Sequence, residues 1–193
     1  MKLQRIFTKK SGNKLWAVCY PEDKKGFKDV DIFRKLMNLW NDTEYLTNYF
    51  IEPENQSKLA DPFWEGISID EAIDMVLEQS NSLEVELYAV SSRLPGYENT
   101  SLSDIFLPLH TNTYSLNFKN EKHRKAKPKA FFEKPIIRLY GVELEDGAII
   151  ISGGAIKLTK PMEGDIFELE KERLKKVQEY LKSEGISDQT GLE

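Results

Sequence analysis

One cysteine and two histidines are all that this 193-residue chain offers to a disulfide or a soft metal. Cys19 has no second thiol to pair with. It lies between Val18 and Tyr20 in an apolar run, where a small buried side chain in a reducing compartment is the simplest reading. His110 and His123 belong to no ligand-spaced set of cysteines or carboxylates, so neither a metal nor another cofactor is expected. Long apolar runs are missing too, and no stretch reaches the length of a membrane span. The basic start "MKLQRIFTKK" turns polar at "SGNK" instead of entering an apolar signal core, so the expectation is a cytoplasmic protein without membrane contact. Repeats and low-complexity linkers are also lacking, which at this length points to a single domain over residues 1–193.

Positive charge is nearly absent from the middle of the chain. Between Leu59 and Asn117 the only Lys or Arg is Arg93, set against Asp61, Glu65, Asp70, Glu71, Asp74, Glu78, Glu84, Glu86, Glu98 and Asp104. The sign then reverses, with Lys119, Lys122, Arg124, Lys125, Lys127, Lys129, Lys134 and Arg138 opposed only by Glu121 and Glu133. The net charge of -5 conceals this segregation. A basic block of this kind is either a solvated connection or a phosphate-binding footprint. On the second reading Lys119, His123, Arg124, Lys125, Lys127 and Lys129 are candidate RNA contacts, and Phe131 and Phe132 either stack on bases or enter the core.

What is present reads as α+β. "LQRIFT" and "KLWAVCY" flank a glycine-containing turn and form a leading hairpin. In "DIFRKLMNLW", Ile32, Phe33, Leu36, Leu39 and Trp40 share one helical stripe. "DTEYLTNYFI" continues it or starts a second helix capped by Asp42 or Thr43, and "EPENQSKLADPFWEG" has the composition of a loop. Ser68 and Glu71 stand at capping-box spacing ahead of a long helix, weakened around Ser80 to Ser82, whose other side carries much of the acidic tract. "YSLNF" reads as a strand. A last helix from about Asp165 to Ser183 presents Ile166, Leu169, Leu174, Val177 and Leu181 on its apolar side and stops at Gly185. The hairpin and helices occupy residues 1–95, the later strands and final helix residues 102–185.

Before that helix, "KPIIRLYGVEL" and "AIIISGGAIKL" form a hairpin around Glu145-Asp146-Gly147. A two-residue Asp146-Gly147 turn sets Tyr140 opposite Gly153, Arg138 opposite Ala155 and Ile136 opposite Lys157. Arg138, Tyr140 and Lys157 then share a face over Gly153 and Ala155, with Val142, Leu144, Ile149 and Ile151 nearer the turn. Ile137, Leu139, Ile150 and Ile156 take the opposite face. A bulge at Gly153-Gly154 would shift this parity by one. The cationic end of the face suits an anion or phosphate: cations neutralise developing charge, and a tyrosine or lysine can relay a proton.

The order of a long helix, a strand, "IIRLYGVELEDGAIIISGGAIKLTKPM" and a charged helix resembles the RelE/HigB superfamily of bacterial toxin-antitoxin toxins. In the HigB-like branch the hairpin strand ends in an apolar residue, then lysine, threonine and a polar-proline stretch; here these are Ile156, Lys157, Thr159, Lys160 and Pro161. The order of elements matches over residues 68–185, the motif over 136–161. The resemblance implies a twisted, mainly antiparallel sheet with helices packed on it, preceded here by an enlarged N-terminal part. It also implies metal-independent cleavage of mRNA by 2'-hydroxyl attack, often on the ribosome, held off by an antitoxin protein. Arg138, Tyr140 and Lys157 would then be catalytic and Lys160 would contact RNA. The chain departs from such toxins in being acidic and in carrying Leu158 where a second basic residue is usual. The alternative is a non-catalytic interaction or regulatory protein of the same fold, its acidic helix and basic loop docking partner proteins. The oligomeric state is left open.

Overall fold

The computed structural model describes residues 1–7, 14–20, 30–108, 123–126, 134–159 and 165–192. Short β-branched and aromatic runs give strands β1 (Lys2–Arg5) and β2 (Leu15–Cys19), and every side chain of β2 is buried. Two aspartates then start two helices. Asp31 accepts the Arg34 N–H at the head of α1 (Ile32–Trp40), and Asp42 does the same for Tyr45 ahead of α2 (Thr43–Ile51).

The segment expected to be a loop is instead helical, as α3 (Pro53–Leu59) and a 3₁₀ turn at Pro62–Trp64. Composition misled because Pro53 and Pro62 sit at helix starts, where a missing N–H costs nothing, and because buried Leu59 and Trp64 draw the segment onto the core. The Ser68–Glu71 capping box opens α4 (Ile69–Ser91), which runs unbroken through Ser80. Helix α5 (Leu102–Ile105) leads into β3 (Phe106–Pro108), an edge strand that ends in proline as edges tolerate.

Part of the basic block belongs to the sheet. Residues 123–126 form β4 (His123–Ala126), paired antiparallel with β3 and with β5 (Ile137–Glu143). The "YSLNF" strand lies outside the described residues. Strand β6 (Ile149–Ile156) and helix α6 (Asp165–Ser183) follow, with Gly185 left-handed behind the helix as expected. Among the described residues there is one six-stranded sheet, ordered β1-β2-β6-β5-β4-β3, antiparallel except where β2 runs parallel to β6. The leading hairpin is thus part of the same sheet, and the architecture is α+β.

Two irregularities in the β5–β6 hairpin decide which of its side chains share a face. Its turn has three residues, not two: Gly147 N–H donates to the Leu144 carbonyl, Leu144 N–H donates to Ala148 O at 2.7 Å, and Gly147 is left-handed at φ 80°. Near the turn the register is therefore one residue off the sequence-based count, so Glu143 pairs with Ile149 and Val142 with Ile150. Ser152 then bulges out between the Gly141–Ile151 and Tyr140–Gly153 pairs and restores the count. Tyr140 opposite Gly153 and Arg138 opposite Ala155 hold as expected. Ile150 exchanges faces with Ile149 and Ile151 relative to the expectation.

Consecutive residues of β6 report what covers each face. A Cβ at Gly153 would strike Glu170 of α6, whereas one at Gly154 would strike Leu36 of α1. Helix α6 therefore covers one face of the sheet and α1 the other, where α4 also packs on α1 and β5. Trp40, Trp64, Phe33, Phe50 and Phe106 are among the largest wholly buried side chains of the shared core.

Candidate functional site

The α6-facing side of β5 carries Arg138 and Tyr140. Lys125 pairs with Tyr140 from β4, so three of the expected cationic and phenolic groups stand on one face. That face is not open. Tyr140 is only 3% exposed, and burial, reinforced by Glu170, raises its hydroxyl to about 12 against the opposing pull of Arg138. Arg138 is half-buried, and burial lowers its guanidinium from the usual value despite the nearby Tyr140. One of its nitrogens donates to the carbonyls of Pro135 (2.9 Å) and Ile137 (2.7 Å), which ties the side chain to the start of its own strand.

The group sequence reasoning missed is Glu170. It is 1% exposed, lodged between α6 and the glycine floor, and its Oε1 accepts from Arg173 at 2.6 Å. Its Oε2 has no hydrogen-bond partner. A Cβ at Gly153 would come within 1.9 Å of that oxygen, so the close approach requires glycine. Burial pushes the carboxyl from 4.5 up to about 7, because desolvation outweighs the pull of Arg173. A signal was there: Glu170, Leu174, Val177 and Leu181 follow one another at helical spacing, so a carboxylate heads the apolar stripe. Leu169, expected on that stripe, is 47% exposed.

A second layer fixes this cluster. Arg173 lies 5.5 Å from the ring centre of Tyr20, and the Tyr20 hydroxyl donates to the Ser152 carbonyl at 2.6 Å, satisfying the bulge. On the other face, wholly buried Gln79 accepts the Ile136 N–H (2.7 Å) and donates to the Lys134 carbonyl (3.1 Å), clamping α4 to the start of β5.

Of the other expected site residues, the structure describes Lys157, Arg124 and the backbone of His123. Lys157 follows β6 directly; its N–H donates to Ile136 O at 2.6 Å and its side chain is half-buried. Arg124 turns away from Tyr140 and binds Glu143 through Nε at 2.7 Å and a second nitrogen at 2.5 Å, while Ser103 donates to the other Glu143 oxygen. His123 is placed by its backbone in β4. Lys119, Lys127, Lys129 and Lys160 lie outside the described residues. Cys19 is buried and donates to Gln4 at 3.5 Å.

A cleft of about 280 Å³ of mixed polar and apolar lining opens at the hairpin turn, bordered by Lys14, Val90, Arg93, Glu98, Leu102 and Asp146 among others. Lys14 is engaged there with Asp146, at 3.3 Å from its carboxylate. Among the described residues no three His, Cys, Asp or Glu side chains gather to hold a metal, and no helix is long and apolar enough to cross a membrane.

Among the described residues, α4 presents a continuous solvent face. Glu71, Asp74, Glu78, Asn81, Val85 and Tyr88 are all exposed and alternate in steps of three and four residues. Val85 is 67% and Tyr88 42% exposed. Such spacing marks one side of a helix, and here that side, termed the α4 seam, is acidic in its first half and carries exposed apolar groups in its second. Comparison with known proteins adds nothing to this geometry: no protein-family model, curated protein or solved structure matches the chain.

Proposed function

We propose that this protein is a non-catalytic interaction protein whose α4 seam binds a basic amphipathic helix of a partner protein. The composition of the seam carries the reading: exposed acids in its first half and exposed Val85 and Tyr88 in its second, with no Lys or Arg between Leu59 and Asn117 other than Arg93 to offset the acids. A partner helix with Lys or Arg opposite Glu71, Asp74 and Glu78 and apolar side chains opposite Val85 and Tyr88 complements it in charge and in shape. The cationic face of the hairpin supports the same reading by its condition, since α6 packs on it and the Glu170 carboxyl fills the space over Gly153 that a phosphate would need. The test is fluorescence anisotropy with a synthetic lysine-and-leucine heptad helix. Reversing Asp74→Lys with Glu78→Lys should weaken binding at least tenfold, whereas the same charge change at Glu172→Lys with Glu179→Lys on α6 should not; equal affinity for both double variants defeats the proposal.

One observation favours a second reading, the RelE/HigB-like endoribonuclease with an enlarged N-terminal part. The β4–β5–β6 register does gather Lys125, Tyr140 and Arg138 on one face. On that reading Arg138, Tyr140 and Lys157 act on mRNA, with Lys119, His123, Arg124, Lys125, Lys127, Lys129 and Lys160 as RNA contacts and an antitoxin as partner. Induced expression of the intact chain should then arrest growth and cleave transcripts, and Arg138→Ala with Lys157→Ala should abolish both. Intact transcripts from the unaltered chain exclude it.

A further inference from the structure

We propose that Glu170 is a proton-binding latch: protonated, it holds the N-terminal half of α6 on the sheet, and ionised, it lets that half lift and uncovers Arg138, Tyr140 and Gly153. Among its described side chains, those from Phe167 onward, the helix is unevenly anchored. Its C-terminal half buries Leu174, Val177 and Leu181, and the chain beyond it is pinned to the hairpin turn where Glu145 N–H donates to Ser187 O at 2.9 Å. In the N-terminal half, Glu170 is the one buried side chain among those described, with Glu168, Leu169 and Glu172 exposed and Phe167, Lys171 and Arg173 half-buried. At position 170 a polar residue thus occupies a place on the stripe of Leu174, Val177 and Leu181 where an apolar anchor would sit. Leu174 marks the natural hinge.

The surroundings favour the neutral form. Oε2 is buried without a partner, directly over the Cα of Gly153. The groups facing it from β5 are Arg138 and Tyr140. Arg138 spends donors on backbone carbonyls, and the Tyr140 hydroxyl stays neutral until about 12. Strand β6 offers Gly153 and Ala155, which carry no charge. On α6 itself Arg173 bonds the other oxygen, while Lys171 is bonded to Glu168 at 2.8 Å; Tyr20, beyond β2, meets Arg173 by its ring, and Lys125 stands one strand away beside Tyr140. One cation bonding one oxygen leaves the second oxygen's charge without compensation, and the carboxyl is correspondingly raised to about 7. Lifting the helix returns it to water and to its ordinary value of 4.5, so each step up in pH through the neutral range favours the lifted state.

Hydrogen exchange on the full chain tests this. Opening of residues 167–173, corrected for intrinsic exchange, should rise about thirtyfold between pH 5.5 and pH 8.5, while residues 174–181 stay protected. Glu170→Gln should hold residues 167–173 closed at both pH values. In parallel, ¹³C-detected titration of the unaltered chain should place the Glu170 carboxyl near pH 7; this readout stands even if the variant does not fold. Unchanged protection of residues 167–173 across the range, a Glu170 midpoint near 4.5, or equal opening in the Gln variant overturns the latch.

Discussion

Replacing Gly153 by alanine isolates the contact on which the α6 interface turns. The new methyl would lie 1.9 Å from Glu170 Oε2 and 2.8 Å from its Cδ, so the carboxylate or the helix must move. Backbone strain does not enter, because Gly153 is not among the left-handed glycines. Overpacking of this kind costs about 1–3 kcal/mol, while the stiffer unfolded chain returns about 0.4–1 kcal/mol, leaving a net loss of about 0.5–2 kcal/mol. In a Glu170→Ala background the obstruction is gone, and Gly153→Ala should become neutral or stabilising. The two changes should therefore couple by about 1 kcal/mol or more, beyond the roughly 0.5 kcal/mol expected of independent sites. Gly154→Ala provides the contrast: its methyl would meet the Arg138 carbonyl at 2.7 Å and Leu36, neither of which Glu170→Ala removes. The measurement is the urea midpoint of each variant at unchanged m-value. If Gly153→Ala costs the same with and without the Glu170 carboxylate, the packing argument fails.

The same geometry governs three other perturbations. Because the folded-state value of Glu170 is raised, its contribution to stability is complete below pH 4.5 and is lost as pH rises through 7, a fall of about 3 kcal/mol; Glu170→Gln should flatten the slope of urea midpoint against pH, and parallel slopes would refute it. Gln79→Leu strands the Ile136 N–H and the Lys134 carbonyl and should cost about 2–4 kcal/mol by urea unfolding; a loss under about 0.5 kcal/mol would show that the clamp is dispensable. Arg124→Ala removes the two-nitrogen contact to Glu143, whose side chain is only 10% exposed, and should cost about 1–2 kcal/mol, between the values for exposed and buried pairs; an unchanged thermal midpoint would count against a structural role.

Much of the fold is legible in the sequence because its signals are local. The capping box at Ser68 and Glu71, the stripe of α1 and the stop at Gly185 depend on neighbours within a few residues, and each appears where the pattern places it; of the two caps open for α2, Asp42 is the one used. Helix α3 escapes such reading because proline and polar residues resemble a loop until Leu59 and Trp64 are seen to be buried. Strand β4 reads as part of a charged connection because pairing to β5 and neutralisation by Glu143 are long-range events. The hairpin shows the limit most clearly. Its open-end register agrees with a count from the sequence only because a three-residue turn, invisible in the pattern, and a bulge at Ser152, one residue before the glycine pair that suggested one, cancel.

By itself the sequence determined the leading hairpin, the starts of α4 and α6, the segregation of charge and the alternation that puts Arg138 and Tyr140 on one face. Only the tertiary structure decided what covers that face. Periodicity records which side of a strand or helix a residue occupies, but not which element lies against it. Glu170 reads as one more surface charge on a charged helix until α6 is laid across β5 and β6, where the missing side chain of Gly153 admits its carboxylate and the surrounding core removes its water.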